Sequence, residues 1–274
     1  MQTIEDLYID LLKNKISDYH KKPKVEYKAL PNNKTLKSKL GNSIDRFLRK
    51  YNFALCRVNT IKEEDRLEGT FWPAEADSMI GMKRLENIAF CVKDVIKNKI
   101  PGDVIETGVW KGGASIFMRG ILRAYNVIDK KVWVADSFEG LPKPEEDNIH
   151  DKGDIHHLIG ELAVSLEDVR DNFEKYNLLD DQVVFLKGWF KDTLPTAPIE
   201  SLSVLRLDGD LYVSTMDAIK NLYPKLSIGG YIIIDDFGVF EGCKIAIEEY
   251  RQRHNITEKI EMIDNSGVYW KKLR

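Results

Sequence analysis

No stretch of this 274-residue sequence is apolar for long enough to cross a bilayer, which takes about 20 residues; the longest purely apolar runs, around Tyr231–Ile234, are far shorter. Cysteine is scarce. Cys56, Cys91 and Cys243 are odd in number and widely separated, so they make neither a disulfide framework nor a metal cluster; a reducing, cytoplasmic setting is expected. Met1–Asp10 lacks a secretory-leader pattern, because Glu5, Asp6 and Asp10 interrupt its apolar positions. There is no internal repeat and no low-complexity tract. Nor is there an overall excess of charge: 41 Lys+Arg stand against 44 Asp+Glu, a formal net charge of −3. With 43% hydrophobic and 31% charged residues the chain falls among globular sequences, not disordered or fibrous ones.

The near-neutral total hides a split. Residues 1–50 carry 12 basic and 6 acidic residues, net +6, and the remainder 29 basic and 38 acidic, net −9. A basic arm suits an anionic partner or an acidic neighbouring subunit, and equally a solvated Lys-rich extension. Without interleaved aromatics or a known module it does not describe a nucleic-acid site.

Ile4, Leu7, Tyr8, Leu11, Leu12 and Ile16 fall at helical spacing and predict a helix over 4–18. Residues 20–45 lose that period and gather Pro23, Pro31, Asn32, Asn33 and Gly41, which reads as a linker or extended arm. Residues 62–78 read as loop, and a second helix is expected over 79–98, with Leu85, Ile88, Cys91, Val92, Val95 and Ile96 inward. From 103 onward short apolar strands (103–107, 131–135, 182–186, 203–207, 231–234) alternate with helical stretches (113–125, 166–176, 215–226, 242–254). Such alternation means parallel pairing in an α/β layered sheet. Capping signals at Ser165–Asp168 and Ser214–Asp217 mark two helix starts. The last two strands, 260–263 and 268–271, flank an Asp264-Asn265-Ser266-Gly267 turn and predict an antiparallel edge.

The first strand runs straight into Gly108-Val-Trp-Lys-Gly-Gly113 and a helix. Gly108 permits a tight turn, and Gly112 and Gly113 permit close approach of a ligand to the helix N-terminus. The spacing is not the dinucleotide G-x-G-x-x-G. Glu106, at the strand end, would repel a pyrophosphate but attract a cation or sugar hydroxyls. That favours S-adenosylmethionine, a nucleoside with positive charge and no phosphate. Asp136 ends the next strand, where a carboxylate accepts hydrogen bonds from a ribose. Gly188-Trp189 follows the third strand, where the indole could cover an adenine or simply pack in the core.

Two further strand ends carry carboxylates: Asp208-Gly-Asp210 and Asp235-Asp236. In a parallel sheet they share an edge with the glycine-rich turn. Asp208, Asp235 and Asp236 would repel one another unless protons or a cation sit between them, and an all-oxygen set suits Mg²⁺. A divalent ion holding a substrate hydroxyl lowers its pKa. Asp210 is then the preferred general base for in-line attack on the sulfonium methyl. His150, His156 and His157 lie in a polar loop; they could meet substrate, but a flexible surface loop is the plainer reading.

The stretch Pro101-Gly-Asp-Val-Ile-Glu-Thr-Gly-Val-Trp-Lys-Gly-Gly113 resembles the signature of the macrocin O-methyltransferase family. The likeness continues through Val132–Pro142, Phe185–Pro195, Leu205–Tyr212 and Asp235-Asp236, and upstream to Trp72-Pro73, Met79-Ile-Gly81 and Asp6–Leu12. It implies a class I, Rossmann-like methyltransferase: a mostly parallel seven-stranded sheet with helices on both faces and an N-terminal helical extension. Residues 1–78 would form a helical arm and lid, and 79–274 the methyltransferase domain. The resemblance implies S-adenosylmethionine and Mg²⁺, with Asp208, Asp235 and Asp236 as metal ligands and Asp210 as base. It places Glu106, Thr107, Gly108, Val109, Trp110, Gly112 and Gly113 in the donor site. Ser115, Asp136, Ser137, Gly188, Trp189 and Asp208 belong there too, with Ser78 and Met79 in a lid. N-terminal helices would join subunits in a homo-dimer or larger homo-oligomer and help form the acceptor pocket. Val213 and Ser78 depart from the usual Glu and Thr, and 143–163 follows no clear pattern; all three bear on the acceptor.

The expected activity is methylation of a sugar hydroxyl on a small-molecule glycoside or glycan, of the kind found in antibiotic biosynthesis. A catechol-like phenol, whose vicinal hydroxyls also chelate Mg²⁺, is the alternative. A nicotinamide dehydrogenase would need the missing G-x-G-x-x-G, and a scaffold protein on this fold would have a degraded carboxylate cluster. No nucleic acid or membrane partner is expected.

Overall fold

The computed structural model describes residues 2–21, 25–29, 36–73, 75–145 and 148–274. The chain opens with α1 (Ile4–Ile16), whose start is fixed by a reciprocal cap between Thr3 and Asp6. Its inner stripe, Ile9, Leu12 and Ile16, is buried, while Ile4, Leu7 and Leu11 face outward. The 20–45 stretch, read as a linker, holds β1 (Val25–Ala29) and most of α2 (Leu36–Leu48). β1 pairs antiparallel with β2 (Cys56–Thr60). The partner strand lies some thirty positions away, so a five-residue strand left little local pattern to read. Pro23, Pro31, Asn32 and Asn33 lie outside the described residues. A short α3 (Glu63–Leu67) interrupts the expected loop before α4 (Gly81–Lys97), which buries the predicted Leu85, Ile88, Cys91, Val92 and Val95.

Strand and helix then alternate: β3 (Asp103–Thr107), α5 (Gly113–Ala124), β4 (Val132–Asp136), α6 (Leu166–Lys175), β5 (Val183–Lys187), α7 (Phe190–Thr193), β6 (Leu202–Leu207), α8 (Tyr212–Leu222), β7 (Leu226–Ile234), α9 (Glu241–Arg253), β8 (Glu261–Met262) and β9 (Val268–Lys271). Seven strands form one sheet in the order β5-β4-β3-β6-β7-β9-β8, parallel from β5 to β7 and antiparallel at β9 and β8. The expected terminal hairpin is that antiparallel edge. α8 ends at Leu222, not 226, because Pro224 in the following turn lacks the N–H that would continue it; β7 therefore begins at Leu226.

Successive strand residues feed opposite cores. Val104, Val134, Val204 and Ile233 meet the layer that includes α1, α4, α5 and α6. Ile105, Ala135, Leu205 and Ile234 meet the layer of α8 and α9. α1 thus packs into the same core as α4 and α5, with Leu12 against Gly120. No helix among the described residues is long and apolar enough to cross a membrane.

The topology creates a crevice. The chain builds outward through β3, β4 and β5, then returns to lay β6 beside β3. Ligands of open α/β sheets bind at the carboxyl ends of the strands where the order reverses in this way.

Candidate active site

Register brings four strand ends level. Thr107 pairs with Ala135 and Leu207, and Leu207 with Ile234. The residues that follow, Gly108, Asp136, Asp208 and Asp235, therefore share one sheet edge. They border a cavity of about 770 Å³. Gly108, with φ of +80°, packs so closely on the Asp208 carbonyl oxygen that a side chain there would overlap it. Trp110, Phe138 and Asp210 also hold left-handed backbone, with φ of +47°, +58° and +56°. Trp110 and Asp210 line the cavity, and such non-glycine residues mark strain of the kind that functional sites store.

Arg206 organises the carboxylates. It projects from β6 without solvent exposure, and its Nη1 donates to Glu106 Oε1 at 2.6 Å and Asp208 Oδ2 at 2.7 Å. Its Nη2 donates to Asp235 Oδ1. Arg84 of α4 donates to the other Asp235 oxygen and, through Nε, to Asp264 at 2.8 Å. Asp264 in turn accepts from the backbone of Ser266 and Gly267, so the hairpin turn is tied to the site.

Asp208, Asp210 and Asp236 bring carboxylate oxygens within 4.8 Å of one another, a grouping that could hold a metal ion. Asp236 also accepts from the Asp210 backbone N–H at 3.2 Å. Asp235, expected beside them as a ligand, instead presents both oxygens to arginines. Burial, and then the charges of its neighbours, pushes Asp210 up to about 8. Asp208 and Asp236 are raised for the same reasons. Glu106 is raised to about 7, chiefly by burial and against the pull of Arg206. Clustered, desolvated carboxylates of this kind take up protons unless a cation compensates them.

The residues expected on the donor side divide. Ser78, Met79, Glu106, Gly108, Val109 and Trp110 line the cavity, as do Gly113, Asp136, Ser137 and Trp189. Thr107, Gly112, Ser115 and Gly188 do not, and act behind the wall. Thr107 is fully buried and its hydroxyl donates to the Arg206 carbonyl at 3.5 Å. Gly112 precedes α5 with φ of +84°. Ser115 donates to Glu106 Oε2, and the Gly188 N–H donates to the Asp136 carbonyl at 2.8 Å. The Asp136 carboxylate receives the N–H of Val109 and of Phe138, each at 2.7 Å, and so stitches the glycine-rich turn to its own. Burial raises its pKa while those N–H groups oppose the rise. The Ser78 and Asp77 N–H groups donate to the Ile16 carbonyl at 3.0 and 2.8 Å, which ties the segment expected as a lid to the end of α1.

The 143–163 loop is anchored where described. Asp151 is buried and accepts from the N–H of Tyr212 at 2.7 Å and of Val213 at 3.1 Å, capping α8. The expected Ser214 cap is therefore replaced: α8 begins at Tyr212, three residues before the expected start, and Ser214 lies inside it. His150 stacks on Tyr212, and His156 lines the cavity. Trp110 Nε1 donates to the Glu161 carbonyl at 2.9 Å, joining the loop to the glycine-rich turn. A surface-loop reading missed these contacts, as it missed Arg84 and Arg206. Arg206 did carry a signal: a charge in the middle of the apolar run Ser203–Leu207 has to be paired if that strand is buried on both faces.

The sequence profile of the family described as Macrocin-O-methyltransferase (TylF) matches residues 5–272. The chain is 58% identical over 222 residues to demethyldecarbamoylnovobiocin O-methyltransferase of Streptomyces niveus, covering 80% of this chain and 84% of that one. It is 53% identical over 214 residues to mycinamicin III 3''-O-methyltransferase of Micromonospora griseorubida, covering 77% and 84%. The solved structure of the O-methyltransferase NovP superposes with a TM-score of 0.84 at 48% identity, covering 98% of this chain and 100% of that one. The seven-stranded sheet is thus the class I methyltransferase fold.

Proposed function

We propose, from the premise that this chain belongs to the macrocin O-methyltransferase family, that it moves a methyl group from S-adenosylmethionine to a sugar hydroxyl of a natural-product glycoside. The observation that carries the reading is the convergence of Asp208, Asp210 and Asp236 beside a glycine-rich turn on one cavity. Names of relatives support the acceptor class: besides the two above, one 53% identical relative from Streptomyces olivaceus is a 4'-O-methyltransferase acting on a rhamnosyl tetracenomycin.

S-adenosylmethionine supplies the methyl on a sulfonium. Glu106 and Asp136 suit such a donor, since they offer negative charge and acceptors without a phosphate-binding nest. Trp189 stands at the wall where an adenine could stack. The crowded carboxylates fit a hard divalent cation such as Mg²⁺, which Asp208 and Asp236 would hold and which would acidify the acceptor hydroxyl. Asp235 backs this pair by fixing Arg206 and Arg84. Asp210 is the base that takes the hydroxyl proton. A cation held by its neighbours would offset the burial and the negative charges that raise its pKa, and so leave it ionised to accept that proton.

The test is methyl transfer from labelled S-adenosylmethionine to demethyldecarbamoylnovobiocin and to catechol. Label should enter the glycoside, and Asp210→Asn should lose turnover by at least about a hundredfold while still binding donor. Labelling of catechol alone, or full turnover by the variant, would overturn the reading.

A further inference from the structure

Residues 151–156 bridge the two carboxylate turns. At one end Asp151 receives the first N–H groups of α8, two and three residues after Asp210. Gly242 of α9 leaves room for it, since a side chain at Gly242 would come within 2.9 Å of Asp151 Oδ1. At the other end the His156 ring meets Phe240 edge-on at 5.0 Å, and Phe240 follows the Asp235-Asp236 turn, with its N–H donating to the Asp236 carbonyl at 2.9 Å.

Within this bridge one carboxylate fixes the imidazole. Asp154 Oδ1 accepts the His156 backbone N–H at 2.8 Å, and Asp154 Oδ2 lies 2.6 Å from His156 Nδ1. A carboxylate oxygen accepts, so Nδ1 carries the hydrogen, and in the tautomer this fixes Nε2 is the ring's acceptor nitrogen. Nε2 has no hydrogen-bond partner among the described residues, while the side chain lines the cavity shared with Asp210.

We infer that His156 is an acceptor-binding residue: oriented by Asp154, its Nε2 accepts a hydrogen bond from a sugar hydroxyl neighbouring the one that gives its proton to Asp210. This rests on the glycoside reading above. It extends that reading from one reacting hydroxyl to recognition of a polyhydroxylated ring by two fixed acceptors on facing turns. An aglycone or a lone phenol would leave Nε2 unpaired, so selection against such molecules follows from the same contact.

The experiment is steady-state kinetics on the whole enzyme with demethyldecarbamoylnovobiocin and with its analogue deoxygenated beside the methylated position. His156→Ala should raise the acceptor KM about five- to tenfold, as the loss of one neutral hydrogen bond does. The donor KM and kcat should stay within about twofold. His156→Gln, which keeps an acceptor oxygen, should recover part of the loss, and Asp154→Ala should resemble His156→Ala. Wild type should discriminate against the deoxy analogue and His156→Ala should not. Equal discrimination by both enzymes, or an unchanged acceptor KM in His156→Ala, overturns the role of His156 while leaving the glycoside reading intact. A wild-type enzyme that methylates neither glycoside overturns both.

Discussion

Arg206 donates from Nη1 to Asp208 Oδ2 at 2.7 Å while lying wholly inside the protein. The same guanidinium serves Glu106 and Asp235, so one cation compensates three carboxylates. Its removal leaves buried negative charge unpaired, which costs far more than the pair itself contributes. Arg206→Ala should lower the unfolding free energy by about 3–5 kcal/mol. Arg206→Lys keeps the charge but not the fork, and should fall between. Urea unfolding reads both. An alanine variant within about 0.5 kcal/mol of wild type would show that the carboxylates do not depend on this residue.

The carboxylate cluster sets a pH dependence. Asp210 holds its proton up to about 8 in the fold, against an ordinary value of 3.8. Between those values the folded chain binds more protons than the unfolded one, so the contribution of this group to stability falls as pH rises through that window. A divalent cation competes with those protons and is bound better once they are gone. Saturating Mg²⁺ should therefore raise the melting temperature more at about pH 8.5 than at about pH 6. Asp236→Asn should abolish the difference. An equal shift at both pH values would argue that the cluster binds no cation.

Much of this site could be read from short stretches of chain. The turn after β3 shows as an apolar strand followed by closely spaced glycines, and Asp208, Asp235 and Asp236 each end an apolar run. Parallel pairing then carries all of them to one edge, because every such strand ends on the same side. What stayed hidden depends on partners far along the chain. Arg84 reaches Asp235 across 151 positions, and Asp151 reaches Tyr212 across 61. Such contacts leave no periodicity, and the Ser214–Asp217 pattern was a sound capping signal outcompeted by a carboxylate from elsewhere.

That carboxylate is itself testable. Asp151 satisfies two of the N–H groups that begin α8, and caps of this kind contribute about 0.5–2 kcal/mol. Asp151→Ala should destabilise the protein by about that amount. It should also lower kcat, since the unseated turn carries Asp210. Asp151→Asn keeps one acceptor and should lose less of both. Thermal unfolding alongside kcat decides: a stability loss with kcat unchanged would confine Asp151 to the helix end.

Gly113 opens α5 where the backbone of Asp77 and Ser78 crosses it. A side-chain carbon at Gly113 would overlap the Asp77 carbonyl and the Ser78 Cβ. The clash falls partly on backbone, and that segment is held by two hydrogen bonds to the Ile16 carbonyl, which resist its displacement. Alanine favours helix over glycine by about 1 kcal/mol, but overpacking costs about 1–3 kcal/mol, and against a backbone the clash should win. Gly113→Ala is therefore expected to be destabilising. It should also weaken S-adenosylmethionine binding, because Ser78 and Met79 line the cavity on this side. Gly160 is the control: open space surrounds its missing side chain, so Gly160→Ala should change stability by no more than about 0.5 kcal/mol. Calorimetric donor titration of the two variants separates the outcomes. Wild-type affinity in Gly113→Ala would mean that the 77–79 segment can move away from α5 without disturbing the donor.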